Sequence, residues 1–194
     1  MNYVQLKTQV ENVTGTNTET GRFLNEAQLV LAKESKKRKK ASIAITAGVA
    51  TIPAGCLVIR NIKYGSTSLG YSDLTEDKPT MGVSTSTTDT PGKYALLNSQ
   101  IIFNTSVTVT DVSNTCILYY TPRPATMVLD TDIPELTDAD TAMVYYARWR
   151  NYLEGEDVQE AGFWENEWYK KAEEWIRMDS EINNDLPFQQ EAVW

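Results

Sequence analysis

The sequence predicts an α+β fold, in which two N-terminal and two C-terminal helices form a four-helix core and a small antiparallel β-domain is inserted between them. Apolar residues recur every three or four positions near both ends of the 194-residue chain, which indicates amphipathic helices. The middle of the chain is rich in β-branched residues, serine, threonine and turn signals instead. These changes predict N-terminal helices over residues 1–40, the β-domain over 41–130, a helical hairpin over 131–183 and an extended tail over 184–194.

The first segment predicts two helices separated by a Thr-Gly-Thr-Asn break. The first helix covers residues 3–13, and its apolar stripe consists of Val4, Leu6, Val10 and Val13. The second is expected to start after Thr18 or Thr20 as its N-cap and to carry an apolar stripe from Phe23 to Leu31.

A run of five cations follows the second helix: Lys36, Lys37, Arg38, Lys39 and Lys40. Cations complement the exposed carbonyls at a helix C-terminus, so one interpretation is a charged helix end. The other interpretation is a contact patch for an acidic protein surface or for nucleic acid. Both remain open from the sequence alone.

The middle segment predicts five or six strands. Residues 42–46 and 49–52 form one predicted hairpin around Ala47-Gly48, and residues 93–97 and 100–103 form another around Asn98-Ser99. Further strands are predicted over residues 56–63 and 116–121. The stretch from Gly65 to Gly92 is too polar for a core, so we expect an exposed loop there.

The third segment predicts a helical hairpin. Thr137 is the expected N-cap of its first helix, with Asp138 and Asp140 in the first turn, and the Glu-Gly-Glu sequence at 154–156 ends that helix. The second helix carries tryptophans at helical spacing. All five tryptophans lie in this last third of the chain: Trp149, Trp164, Trp168, Trp175 and Trp194. Their spacing favours packing in a core or a subunit interface over a sugar- or base-stacking platform.

The amino-acid composition excludes the commonest kinds of catalytic site. The chain has no histidine, which excludes Ser-His-Asp and Cys-His sites within it. Its two cysteines, Cys56 and Cys116, lack the spacing of zinc or redox motifs, and we expect both to be buried, reduced thiols. Gly-rich phosphate loops are absent, and the carboxylate pairs of the last helix read as solvated surface. We therefore expect no enzyme activity, no metal and no cofactor.

Charge is distributed unevenly along the chain. The net charge is −8, but residues 1–40 carry +4 and residues 131–194 carry −11. An acidic half disfavours nucleic-acid binding by the protein as a whole. No stretch is long and apolar enough to span a membrane, and the opening residues lack the pattern of a secretory signal, so we expect synthesis in the cytosol.

Several motifs, taken in order, resemble the head-to-tail adaptor (connector) proteins of short-tailed bacteriophages. Residues 3–7 and 22–28 resemble the opening helices of that family. Four further stretches resemble its β-insert: 46–53, 56–62, 91–94 and 118–122. Residues 132–136, 142–147 and 161–169 resemble its closing helical hairpin. The likeness covers nearly the whole chain.

The resemblance implies a virion structural protein that forms a homo-oligomeric, twelvefold ring between the portal and the tail nozzle and continues the DNA channel. Implied partners are the portal protein, the tail nozzle protein, tail fibres, and genomic DNA passing through without sequence-specific binding. Assembly is expected in the host cytoplasm, with no membrane involved. The main alternative is a binding module that recognises glycan or protein through the 65–92 loop, and an enzyme is a distant third.

Two segments are the candidate contact sites. The basic run, residues 36–40, is expected to meet an acidic neighbouring subunit or the portal. The C-terminal tail carries apolar anchors on a segment whose proline disfavours helix: Leu186, Pro187, Phe188, Val193 and Trp194. We expect this tail to dock on a partner, the portal first, while folding back onto its own hairpin is the alternative.

Overall fold

The structure, a computed structural model, describes residues 1–46, 48–71, 93–103 and 115–184. The chain divides into two compact units: Met1–Lys37 with Arg123–Trp194, and Arg38–Pro122. Four helices belong to the first, which we call the helical unit, and the strands belong to the second, the β-unit. The predicted fold class, α+β with two N-terminal and two C-terminal helices flanking a strand region, is confirmed.

The helical unit contains α1 (Tyr3–Thr14), α2 (Thr20–Glu34), α3 (Asp140–Glu154) and α4 (Val158–Asn184). Helix α3 lies at the centre, because α1, α2 and α4 all pack against it, whereas α4 touches only a small part of α2. Side chains from all four helices are buried in the core, among them Leu6, Phe23, Leu24, Met143 and Trp168. None of the helices in the described residues is long and apolar enough to cross a membrane.

Two predicted helix caps are wrong. Helix α2 begins at Thr20 itself, after Glu19, and no side chain caps it. The Thr20 hydroxyl is fully buried and accepts a hydrogen bond from Asn151 (3.1 Å) instead. Thr137 precedes the start of α3 by a turn, and its carbonyl accepts the Trp175 indole N–H (2.9 Å). Both threonines are therefore used in tertiary packing.

The basic run does not end a helix. Helix α2 stops at Glu34, and Ser35 takes extended backbone angles. The Asp179 carboxylate on α4 accepts hydrogen bonds from the Ser35 hydroxyl (3.1 Å) and the Lys36 N–H (2.7 Å). These bonds draw the chain out of the helix, so the interpretation of the run as a charged helix end is wrong.

The described part of the β-unit has more strands than predicted. They are β1 (Lys39–Ala44), β2 (Val49–Thr51), β3 (Cys56–Tyr64), β4 (Thr67–Ser68), β5 (Gly70–Tyr71), β6 (Lys93–Leu97), β7 (Gln100–Phe103) and β8 (Thr115–Pro122). One sheet has the order β1-β8-β3-β4 and the other β2-β7-β6-β5. All pairs are antiparallel except β5 with β6.

One predicted hairpin is confirmed and the other is only partly formed. Strands β6 and β7 pair across Asn98 and Ser99, which both have the positive φ of a tight hairpin turn (47° and 62°). At the first hairpin, Thr46 and Val49 exchange backbone hydrogen bonds of 2.8 and 3.0 Å. Strand β1 then pairs with β8 and β2 with β7, so the two arms enter different sheets.

The expected loop from Gly65 to Gly92 begins with structure. Strands β4 and β5 lie in its first residues, and Leu69 between them is buried, so this portion is not an exposed loop. Residues 72–92 lie outside the described residues.

The two cysteines differ. Cys116 is fully buried beside Ile62, Phe103 and Leu118, and burial raises the pKa of its thiol to about 11. Cys56 is only half-buried, which corrects the expectation that both are core thiols. Both are free of disulfides, as predicted.

Candidate functional site

An aromatic cluster joins the two C-terminal helices. Trp149 of α3 stacks on Trp168 of α4 with ring centroids 5.4 Å apart, and Tyr145 meets Trp164 edge-on at 5.3 Å. Trp168 and Trp175 are buried, so the packing interpretation of the tryptophans is confirmed for these two. Trp194 lies outside the described residues. Rings paired in this way rigidify the hairpin.

Polar contacts fix the other helices on α3. The Arg148 guanidinium lies 4.6 Å from the centroid of the Trp164 ring and donates to the Gln9 carbonyl of α1 (2.7 Å). Burial lowers the pKa of Arg148. At the other edge of α3, the Glu154 carboxylate accepts from Arg22 of α2 (2.8 Å). Arg22 also donates a hydrogen bond to Glu19, which raises the pKa of the Arg22 guanidinium. Arg22 therefore links the start of α2 to the end of α3.

The segment between β8 and α3 is irregular but densely hydrogen-bonded to α2. The Asn25 amide donates to the Met127 carbonyl (3.0 Å) and accepts from the Met127 N–H (2.8 Å). Gln28, only 1% exposed, donates to the Ala125 carbonyl (3.0 Å) and accepts from the Glu135 N–H (2.8 Å). Two amides of one helix therefore fix the path of this segment.

A tight turn in this segment is fixed by Asp132. Its carboxylate accepts from the N–H groups of Val128 (2.7 Å) and Leu129 (2.8 Å), and these bonds lower the pKa of the carboxyl. The Asp132 carbonyl in turn accepts from the Tyr3 N–H at the start of α1 (2.7 Å). The turn is thereby held to both the segment itself and the first helix.

Three aliphatic side chains point outward from this turn: Val128 (71% exposed), Leu129 (64%) and Ile133 (71%). We call these three residues the apolar loop. The sequence analysis does not single out these three residues. The available signal was an apolar triplet, Met127-Val128-Leu129, without helical or strand periodicity, between Pro124 and Pro134.

The outer face of α1 lies beside the apolar loop and carries no charge. Its exposed residues are Val4, Gln5, Thr8, Gln9, Asn12 and Val13. The two charged residues of the helix, Lys7 and Glu11, are half-buried and lie 3.9 Å apart. Exposed helix faces normally carry charges, and depletion of charge is typical of interface centres.

The predicted contact residues fall in two units. Lys36 and Lys37 belong to the helical unit, where the Lys37 ammonium reaches the Glu135 carbonyl at 3.4 Å. Arg38, Lys39 and Lys40 belong to the β-unit, and Lys39 and Lys40 are exposed on β1, an edge strand. The tail anchors, from Leu186 to Trp194, lie outside the described residues.

In the described part of the chain, no group of three or more cysteine, aspartate or glutamate side chains is arranged to hold a metal ion. The surfaces described above are suited to protein contacts: a rigid apolar loop, an uncharged helix face, and a run of cations.

A family model described as SU10 adaptor protein matches residues 1–185. This match spans the helical unit and the β-unit and confirms the resemblance drawn from the motifs. No curated protein matches the chain significantly.

Proposed function

Because the chain belongs to the SU10 adaptor protein family, we propose that it is the head-to-tail adaptor of a short-tailed bacteriophage. Family membership makes it a phage structural protein and a virion component. In our proposal the protein forms a closed, twelvefold ring between the portal and the tail nozzle and has no catalytic role. The family match over residues 1–185 is the observation that carries this proposal.

The charge distribution supports a channel-forming ring. The helical unit contains 11 lysine and arginine against 21 aspartate and glutamate residues, for a net charge of −10. A channel wall of this sign does not hold phosphates by ion pairing, so DNA slides through it. The genome is then a passing partner without sequence-specific contacts.

Contacts to other virion proteins follow from the two predicted sites. We assign the basic run, residues 36–40, to an acidic surface of a neighbouring subunit or of the portal. We assign the C-terminal tail, with Phe188 and Trp194 as its aromatic anchors, to the portal. The tail nozzle and the tail fibres are the remaining partners, and the virion is assembled in the host cytoplasm.

Native mass spectrometry of the protein, alone and mixed with portal protein, tests the proposal. We expect a closed oligomer of the 21.8 kDa chain, in isolation or on the portal, with twelve copies per ring. A chain that stays monomeric in both conditions, or that fails to bind the portal, would contradict it.

A further inference from the structure

The apolar loop is built as a rigid contact element. Two hydrogen bonds to the Asp132 carboxylate hold the backbone of the loop, and four bonds to Asn25 and Gln28 hold the backbone on either side of it. The side chains that the loop presents are nevertheless aliphatic and about two-thirds exposed. In an isolated subunit, exposed aliphatic groups lose the stabilisation that burial gives. A preorganised loop loses little entropy when it is covered, so this arrangement favours binding to a partner.

A second exposed surface lies on helix α4. This helix also packs on α3, and its exposed residues include a stripe of Phe163, Asn166, Lys170, Glu173 and Arg177. Phe163 is 54% exposed although its ring contacts Trp164 edge-on at 5.1 Å. This phenylalanine therefore extends the aromatic cluster from the half-buried Trp164 to the surface.

The two surfaces are unlike: one is an irregular aliphatic loop, and the other is a helix face with an exposed phenylalanine and charged residues. A contact between two copies that uses two different surfaces is heterologous and gives a ring when the rotation between copies closes, whereas one surface meeting itself gives a dimer. A partner other than a second copy would need only one of these surfaces. The presence of both favours copies of this chain as the mutual partners.

The distribution of charged residues also favours contact between these two surfaces. Two helical units of net charge −10 repel unless they meet where carboxylates are few or are matched by cations. The apolar loop continues into the uncharged face of α1 and has the exposed Asp130 at its centre. On the stripe of α4, Lys170 lies two helical turns from Phe163 and is exposed. It pairs with Glu167 within the subunit, and because an exposed pair of this kind is weak, its ammonium is able to turn to such a carboxylate on a neighbouring copy.

We infer that the apolar loop of one copy packs against the α4 stripe around Phe163 of the next copy, with Asp130 facing Lys170. This inference rests on the ring proposed above and names the surfaces that form it. Every subunit then uses its loop on one side and its α4 stripe on the other.

Disulfide trapping tests the inference. The double variant Leu129→Cys with Phe163→Cys, made in a Cys56→Ser background, is oxidised after assembly and analysed without reductant. We expect a ladder of covalent multimers that reaches the full ring. The matched control, Leu97→Cys with Phe163→Cys, uses an exposed leucine of the β-unit and should give no ladder.

The possible outcomes test the proposed contact and the proposed ring separately. Rings that assemble without a ladder overturn the inference and leave the ring intact, and a chain that forms no ring with or without portal overturns both. If the single variant Leu129→Cys forms disulfide-linked dimers, the apolar loops of two copies contact each other. If the cysteine of Leu129→Cys is protected from maleimide only when portal is present, the portal covers the loop. Either result overturns the inference. As a second variant, Leu129→Asp should weaken assembly about tenfold or more without unfolding the subunit.

Discussion

Gln28 shows how one buried side chain determines the course of an irregular segment. Its amide satisfies a carbonyl at Ala125 and an N–H at Glu135, ten residues apart in the chain. The sequence places Gln28 on a helix among apolar neighbours, but nothing in it reveals which backbone groups the amide meets. Single-residue roles of this kind depend on tertiary contacts, as Thr20 and Thr137 also show.

Replacing Gln28 by leucine tests this role. Leucine fits the volume but leaves two partly buried backbone groups without partners, so we expect a loss of about 2 kcal/mol in the free energy of unfolding. Urea denaturation measures it. Gln9→Leu is the matched control, because exposed Gln9 accepts the hydrogen bond from Arg148 through its backbone carbonyl, which the substitution keeps. This control should change the free energy of unfolding by less than about 0.5 kcal/mol. Equal effects at both positions would contradict the assignment.

Asp132 should make the loop sensitive to acid. The N–H groups of Val128 and Leu129 lower its pKa in the folded protein, so its stabilising effect is complete above the unfolded-state pKa and is lost as the pH falls through the folded value. An NMR titration should give a carboxyl pKa below the ordinary value of about 3.9. The Val128 and Leu129 amide resonances should shift with the same midpoint. Asp132→Ala should abolish these shifts, and their persistence would exclude Asp132 as the cause.

At the scale of elements, periodicity predicts which segments are helices but not where they end. Both N-terminal helices and both C-terminal helices form where apolar residues recur at helical spacing, because each must bury that stripe. The end of α2 depends on Asp179, which is 144 residues from Ser35 in sequence. Likewise, the 46–49 turn forms locally, whereas the sheets that β1 and β2 join depend on β8 and β7.

Charge reversal in the basic run tests whether these residues contact a neighbouring subunit or the portal. Changing Lys36, Lys37 and Arg38 together to glutamate should leave the fold intact, because Lys36 contacts Asp179 through its backbone N–H and the Lys37 side chain makes only a long, exposed bond of 3.4 Å to the Glu135 carbonyl. Assembly should be impaired, since the reversed charges repel an acidic neighbour. Circular dichroism checks the fold and native mass checks assembly. The charge-reversal control is Arg123→Glu, at an exposed cation outside the run. Unimpaired assembly of the triple variant would remove the run from the contact sites.

For the whole molecule, the order of helical and strand-like sequence patterns along the chain is sufficient to predict the fold class. Two helical stripes at the N-terminus, a β-branched middle and two helical stripes near the C-terminus leave few arrangements other than a set of helices with a β-unit inserted between them in the chain. The exposed apolar loop could not be predicted in this way, because an aliphatic triplet in sequence does not show whether it faces the core or the solvent. Its outward direction depends on tertiary bonds, among them those of Asn25, Gln28 and Asp132.

Deleting residues 186–194 tests the assignment of the tail to the portal. We expect the melting temperature of the free protein to stay nearly unchanged and portal attachment to weaken, because the aromatic anchors Phe188 and Trp194 are lost. Thermal melts and co-sedimentation with portal particles measure the two effects. A large fall in melting temperature with attachment intact would instead place the tail in the subunit core.

Cryo-electron microscopy of the virion neck tests most directly the proposal that this chain forms the ring between portal and tail nozzle. We expect twelve copies directly below the portal, with the net acidic helical units surrounding the DNA channel and the apolar loop of each copy in contact with α4 of the next. Density for this chain elsewhere in the virion, or copies that share no contact with the portal, would contradict it.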